Sequence, residues 1–192
     1  MRADARANRQ ALVDAARRLY AVRGATVPLT AIAEHAGVGI GTLYRHFPTA
    51  DDLVIGVIED LRRRILASCE LRAPEVAADP DRGWLAFVTD IVALDLGALL
   101  PRLVEGRGDL QDLPPAMLSA RAEILTAVVT VFDVAKSTGV VRAEVDPLHF
   151  FAGLAALTRP LPENLRRELP DLQPWLVDVY LAGLRADPGL RQ

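Results

Sequence analysis

Apolar residues recur along this chain with the period of an amphipathic helix. Near the N-terminus they stand three or four positions apart, which places them on one face of a first helix that we expect to end near Gly24. The members of this face are Leu12, Ala15, Ala16, Leu19 and Tyr20. Alternating runs of Val, Ile and Thr and Asn-Gly turns, which mark strands and hairpins, are missing from the sequence. The pattern therefore predicts an all-α protein.

Proline, glycine and capping residues divide the rest of the chain, so that about nine helices are expected in all. We predict short helices over 29–36 and 39–47, with a turn at Gly37 between them. Thr49 and Asp52 have the spacing of a capping box, which starts a long helix that should reach about Arg72. The later predicted segments are helices over 84–94 and 98–104, a loop over 107–114, helices over 118–139 and 146–160, a linker over 160–170 and a last helix over 175–184.

The composition is that of a globular protein, with 51% apolar and 24% charged residues. The single cysteine, Cys69, excludes an intrachain disulfide and a C-x-x-C site and favours the reducing cytoplasm. The longest apolar stretch, 84–100, contains Asp90 and Asp95 and is too short and too charged to cross a membrane. Catalytic motifs, metal-ligand spacings and phosphate-binding loops do not occur, so we expect no enzyme activity, cofactor or metal.

Charge is distributed unevenly along the chain. Residues 1–50 hold seven Arg against three acidic residues, whereas residues 51–192 hold fifteen Lys or Arg against twenty-two acidic residues. A basic end on an acidic body predicts that the N-terminal region binds a polyanion such as nucleic acid. The alternative is a chance asymmetry, because seven arginines in fifty residues is not extreme.

The two short helices have the residue types of a helix-turn-helix. Ala33 is small where two helices would cross, and Gly37 permits the positive φ that turns the chain. Ile32, Val38 and Leu43 would fill the seam between the helices. A helix that enters a DNA major groove needs hydrogen-bond donors on its open side. The second short helix offers Thr42, Tyr44, Arg45 and His46.

Residues 32–38 (IAEHAGV), followed by residues 41–48 (GTLYRHFP), resemble the DNA-binding domain of TetR-family transcriptional regulators. The resemblance covers about residues 8–60, and beyond them it is one of plan only. It implies a helix-turn-helix head over 1–48 and an effector-binding and dimerisation body over 49–192. It also implies a homodimeric repressor that binds a palindromic operator in double-stranded DNA and is released by a small-molecule effector.

The resemblance assigns roles to residues of the head. Tyr44 and His46 match the family's phosphate contacts, although Tyr44 has the alternative of a partly buried core aromatic and His46 that of a C-terminal helix cap. Thr42 and Arg45 are the candidates for base edges, because Arg pairs well with guanine. Gly41 would let the helix backbone approach the DNA closely. We also expect an N-terminal arm that lies along a DNA groove and is formed by Arg2, Arg6 and Arg9.

Two positions depart from the family pattern. Pro28 stands where a hydroxyl often caps the second helix, which leaves Thr30 as its replacement. Ala50 stands where a lysine often contacts phosphate, and Asp51 and Asp52 follow it. We therefore expect a shallow dependence of DNA affinity on salt. The departures keep an alternative open, a helical small-molecule-binding protein whose DNA binding is weak or vestigial.

Two charged residues of the body fall on helix faces that should be buried. Asp95 and Arg121 would either pair with each other, or Arg121 would reach water or meet an anionic or carbonyl-bearing effector. The stripes around them are either ordinary core or a pocket lining. The candidate pocket residues are Trp84, Phe87, Ile91, Asp95, Met117, Arg121 and Phe132.

The last apolar segments are predicted to form the dimer interface. Two adjacent phenylalanines cover more than one face of a helix, which is more than a single core needs, although one of them could pack inward. A palindromic DNA site also requires a two-fold dimer. The candidate interface residues are Phe150, Phe151, Leu154, Trp175, Val179 and Tyr180.

Overall fold

The computed structural model describes residues 2–23, 27–99 and 113–185. These residues form nine helices and no strand, which confirms the all-α prediction. In chain order the helices are α1 (Arg2–Arg23), α2 (Leu29–His35), α3 (Ile40–His46), α4 (Ala50–Ala78), α5 (Pro80–Val92), α6 (Pro115–Ser137), α7 (Pro147–Leu157), α8 (Glu163–Glu168) and α9 (Leu172–Leu184). Within the described parts, none of these helices is long and apolar enough to cross a membrane.

Helix ends follow the local capping chemistry. Gly37 has a φ of +69° after α2, and the amide of Val38 donates to the carbonyl of Ala33 at 3.0 Å, which is a Schellman ending. At the start of α4 the Thr49 hydroxyl accepts from the amide of Asp52, whose carboxylate accepts from the Thr49 amide, as the capping box predicts. These local interactions explain why the element boundaries of the head agree with the sequence pattern.

Four predicted segments differ from the structure or lie wholly or partly outside the described residues. The long helix α4 continues past Arg72 to Ala78 and includes Pro74, because its last turn carries the fully buried Val76 into the core. The expected linker over 160–170 contains the short helix α8. Residues 96–99 form a helical turn after α5, while the rest of the predicted 98–104 helix and most of the 107–114 loop lie outside the described residues.

Helix α4 connects the N-terminal helices with the body. It packs against α1 on one side and against α5 and α6 on the other. The buried apolar residues form one continuous cluster that runs from Leu12 in α1 to Leu154 in α7. Helix α4 and this continuous core therefore join the N-terminal helices to the rest of the protein.

Candidate nucleic-acid interface

The seam between α2 and α3 is built as the residue types predicted. Ile32 and Leu43 are completely buried, and Ala33 is 2% exposed. Val38 is half-buried and packs against the same cluster. Small and apolar residues therefore hold the two short helices together on one side, and they leave the other side of α3 open.

The open side of α3 carries Gly41, Tyr44 and Arg45, all of which are exposed. Positions three and four apart lie on one face of a helix, so these three residues share a surface. Thr42 and His46 are half-buried and flank it. Tyr44 has half of its surface exposed, at 50%, so much of its side chain is accessible from this side of the helix. The structure thus brings the predicted contacts of α3 to one surface.

Thr30 lies at the start of α2 and is exposed. The residue before α2, Pro28, provides no side-chain cap. Thr30 is thus an exposed hydroxyl-bearing residue in the first turn of α2, whose N-terminal backbone amides have no side-chain cap. At the start of α4, by contrast, the Thr49 hydroxyl lies 2.7 Å from the Asp52 carboxylate and is held in the capping box.

The absence of a side chain at Gly41 has no cause within the subunit. A Cβ atom at this position would meet no atom within 4 Å, and the residue is not among those with positive φ. Gly56, by contrast, sits under the Phe47 ring, where a Cβ would lie 2.7 Å from a ring carbon. Since glycine weakens a helix relative to alanine, the open position of Gly41 calls for an explanation outside the subunit.

The predicted N-terminal arm is only partly available. The Arg9 guanidinium lies 5.0 Å from the centre of the Phe47 ring and 3.9 Å from the Glu59 carboxylate. Arg9 therefore packs on the head itself, in a cation–π contact. Arg6 is exposed, and the side chain of Arg2 lies outside the described residues.

The residues predicted to line an effector pocket do not form one open site. Aromatic rings from α5, α6 and α7 pack directly on one another, with 5.2 Å between the ring centres of Trp84 and Phe132. Phe87, Ile91 and Met117 are also buried. At these positions the structure shows ordinary core packing.

The prediction that Arg121 lies on a buried face is wrong, and so is its suggested pairing with Asp95. Arg121 is exposed, because α6 turns Met117 and Ala120 inward instead. Asp95 is half-buried, and the charge that acts on it comes from Arg17 of α1. Burial raises the pKa of Asp95, while the Arg17 charge opposes that increase.

The predicted interface residues divide between core and surface. Phe150 and Leu154 are buried within the subunit, which agrees with the alternative that one of the two phenylalanines packs inward and leaves these two residues out of the candidate interface surface. The Tyr180 hydroxyl donates to the Phe150 carbonyl at 3.2 Å and lies where a Cβ at Gly153 would be, so it fastens α9 to α7. Phe151 is half-buried and also packs on the core. Trp175 and Val179 remain 58% and 51% exposed.

One polar network between α1 and α4 was not anticipated. Asp60 is 2% exposed and accepts from Gln10 at 3.1 Å and from both Arg63 and Arg64 at 2.6 Å. Arg64 also bonds to Asp14 of α1 at 3.1 Å. Arginines three and four positions after an aspartate are a helix pattern that could have indicated the pairs, but only the packing of α1 makes the network buried.

A second polar contact joins α4 to α5. Arg72 and Ser68 donate to the Asp90 carboxylate at 2.8 and 2.9 Å. These hydrogen bonds, chiefly that from Arg72, hold the pKa of Asp90 below its usual range. Nearby Cys69 is buried, and its surroundings raise the pKa of the thiol to about 11, mainly by desolvation. Such a thiol is protonated near neutrality and is a poor nucleophile or metal ligand.

Two protein-family models match the chain. The model described as "Bacterial regulatory proteins, tetR family" matches residues 12–57, and the model described as "Transcriptional regulator SbtR-like, C-terminal domain" matches residues 79–186. An HTH-type transcriptional regulator of Staphylococcus aureus is 42% identical over 60 residues, which is 31% of this chain and only 32% of that protein's length.

Solved structures resemble the chain over nearly its whole length. A TetR transcription regulatory protein from Mycobacterium vanbaalenii is 34% identical with a TM-score of 0.64, covering 96% of this chain and 98% of that one. The TetR transcriptional regulator SCO0520 from Streptomyces coelicolor is 27% identical with a TM-score of 0.61, covering 93% and 98%. Together with the helix-turn-helix geometry, these matches show that the chain belongs to the TetR family of transcriptional regulators, which are DNA-binding proteins and not enzymes.

Proposed function

We propose that this protein is a ligand-responsive repressor that binds a palindromic operator as a homodimer and is released by a small-molecule effector. The observation that carries the proposal is the open face of α3, where Gly41, Tyr44 and Arg45 are exposed together. DNA binding, dimerisation and effector control would involve different parts of the protein. Each of them is supported by a separate observation. Such a regulator acts where the chromosome lies, in the cytoplasm.

The α3 face suits a major groove because its residue types differ in role. Arg45 can donate two hydrogen bonds to one guanine, which gives sequence preference. We assign Tyr44 and His46 to phosphate contacts, which would orient the helix. Gly41 leaves room for the backbone to approach, and Thr30 is exposed on the neighbouring α2. We propose the same roles for these residues that the family resemblance implied, with Thr42 as a base-edge contact beside Arg45.

Homodimerisation is supported by the surface of α9. The helix is rich in apolar residues, yet none of its residues is fully buried in the subunit. Trp175 and Val179, four positions apart, are more than half exposed on one side of it. An apolar helix that its own subunit does not cover is typical of an interface with another chain. We propose that Trp175 and Val179 meet their counterparts in a second copy, with Phe151 and Tyr180 behind them.

Effector control is supported by the connection between head and body. Asp60 joins α4 to α1 through Gln10, and Arg17 of α1 donates to the carbonyl of Ala93 at the end of α5 at 3.3 Å. Helix α1 is therefore held from two sides by the body. An effector that prefers a different packing of the body would shift the head, and the two heads of a dimer would no longer match the spacing of the operator half-sites.

The test is fluorescence anisotropy with DNA from immediately upstream of the protein's own gene. The wild-type protein should bind this DNA with submicromolar affinity and should bind scrambled DNA of equal length much more weakly. Arg45→Ala should lose most of the specific affinity, by about 1–3 kcal/mol, because a bidentate base contact is removed. Arg121→Ala removes the same charge from an exposed site on α6 and should bind like the wild type.

The outcomes separate the alternatives. Unchanged affinity of Arg45→Ala would refute the assignment of that residue. If the wild-type protein bound neither DNA at low salt, the proposed repressor function would be overturned. That result would favour the alternative of a helical small-molecule-binding protein. A shallow salt slope is expected in the wild type, because Asp51 and Asp52 stand at the start of α4 and Arg9 is held by Phe47 and Glu59.

A further inference from the structure

A cleft of about 280 Å³ opens between α5 and α9. Its walls are mainly apolar and include Val88, Val92, Val177 and Leu181. Two carboxylates, those of Asp95 and Asp178, also face it, and no basic side chain is among the described residues that line it. A small apolar cleft with a few polar groups is the usual form of a site for an organic molecule.

Asp95 gives this cleft its chemical character. The residue is half-buried, and among the described residues the influence on its carboxylate, beside burial, is the charge of Arg17 and not a hydrogen bond. Its φ of +55° places it in the left-handed region just after α5, which aspartate adopts more readily than most residues other than glycine. A carboxylate that is partly desolvated without a hydrogen-bond donor gains stability from any cation that reaches it.

The other side of Asp95 borders the DNA-binding head. Arg17 of α1 is the charge that acts on Asp95 from within the protein. The same guanidinium donates to the Ala93 carbonyl, and its Nε atom is buried without a hydrogen-bond partner among the described residues. Asp95 thus lies between the cleft and the helix that carries the head.

We propose that the cleft binds an organic cation with apolar substituents and that Asp95 is its counterion. This inference rests on the proposed function, because it names the chemical class of the effector. Charge complementarity selects the occupant, since the described lining of the cleft holds two carboxylates and no basic side chain and therefore repels anions. A second copy of the chain is expected elsewhere, because Trp175 and Val179 lie on the opposite side of α9 from Val177 and Leu181.

Binding at Asp95 also provides a route to the head. A bound cation competes with Arg17 for the same carboxylate and repels the Arg17 guanidinium. Arg17 then loses the attraction of Asp95 and keeps only its hydrogen bond to the Ala93 carbonyl at the end of α5, so α1 is held less firmly against the body. The effector lowers DNA affinity by this step, because the position of α1 sets the position of α2 and α3 that pack on it.

The experiment uses calorimetric titration of the full chain, without DNA, with three probes that share a hexyl group. The probes are hexyltrimethylammonium, 1-hexanol and hexanoate. The wild-type protein should bind the cation more tightly than the alcohol and should bind hexanoate least. Asp95→Asn should weaken binding of the cation by at least about tenfold and leave 1-hexanol unchanged, because only the charge is lost. Asparagine also tolerates the left-handed backbone at this position.

Two further variants make the result specific. Asp133→Asn makes the same charge change at an exposed site on α6 and should bind all three probes like the wild type. Thr89→Lys places a cation at the exposed rim of the cleft and should weaken hexyltrimethylammonium binding in a protein whose Asp95 is intact. Equal affinity of wild type and Asp95→Asn for the cation, or preference of the wild type for hexanoate, overturns the proposal.

Anisotropy with upstream DNA distinguishes this proposal from the proposed function. If the cation binds through Asp95 but no specific DNA complex forms, the proposed cation site is supported and the proposed repressor function is refuted. If the DNA complex forms but no cation binding is detected, the repressor stands and the cationic effector fails. If both hold, hexyltrimethylammonium should weaken the DNA complex of the wild type and have less effect on that of Asp95→Asn.

Discussion

Replacing Gly41 with alanine should move subunit stability and DNA affinity in opposite directions. A Cβ at Gly41 meets no atom of the subunit within 4 Å, and the backbone there does not have the positive φ that favours glycine. Alanine should therefore stabilise α3 by restricting the unfolded chain. Gly41 is in the first turn of α3, so we take the lower end of the usual range, about 0.5 kcal/mol, which raises the melting temperature by about 1–2 °C.

The added methyl group projects from the face that carries Tyr44 and Arg45, so it should obstruct the approach of the backbone to DNA. The expected cost to operator affinity is about 1–3 kcal/mol, or roughly tenfold to a hundredfold. Differential scanning calorimetry measures the first effect, and anisotropy with upstream and scrambled DNA measures the second. A lower melting temperature of Gly41→Ala would contradict the inference that a Cβ at this position has free space. Unchanged DNA affinity of this variant, together with a raised melting temperature, would refute the inference that the α3 backbone approaches the DNA closely at Gly41.

Gly83→Ala should destabilise the protein by about 3 kcal/mol in a denaturant titration, because a Cβ would lie 2.4 Å from the Val76 amide nitrogen and α5 would have to move away from the end of α4. Acid unfolding should depend on Asp90, because the pKa of this carboxyl is lowered in the folded state. The ionised carboxylate therefore stabilises the folded protein fully above the unfolded-state pKa of about 3.9, and this stabilisation is lost as the pH falls through the folded-state pKa. Asp90→Asn should therefore cost about 1–2 kcal/mol at pH 7 and less at pH 2, and an equal loss at both values would contradict this account.

The head could be predicted from the sequence because its structure is local. The turn at Gly37 needs one residue with positive φ, and the capping box at Thr49 and Asp52 needs two side chains three positions apart. The open face of α3 follows from the burial of Leu43 and the helical period. Each of these features depends on interactions between residues a few positions apart. The exposed face of α3 could therefore be predicted from the sequence.

The sites of the body could not be predicted in the same way, because several faces of its helices are equally apolar. Only the packing of α6 decides that Met117 turns inward and that Arg121 stays exposed. Only the aromatic cluster around Trp84 takes Phe150 into the core, although its neighbour Phe151 has the same chemistry.

The partners of charged residues depended on tertiary structure as well. Arg9 packs on Phe47 instead of extending as an arm, and Asp95 lies near Arg17, which is far from it in the sequence. By itself the sequence determined the helices, their caps and the reading face of the head, since the interactions behind them span a few residues. The tertiary structure decided which charges meet and where a ligand has room, because burial and electrostatics depend on the distances between helices that are remote in the chain.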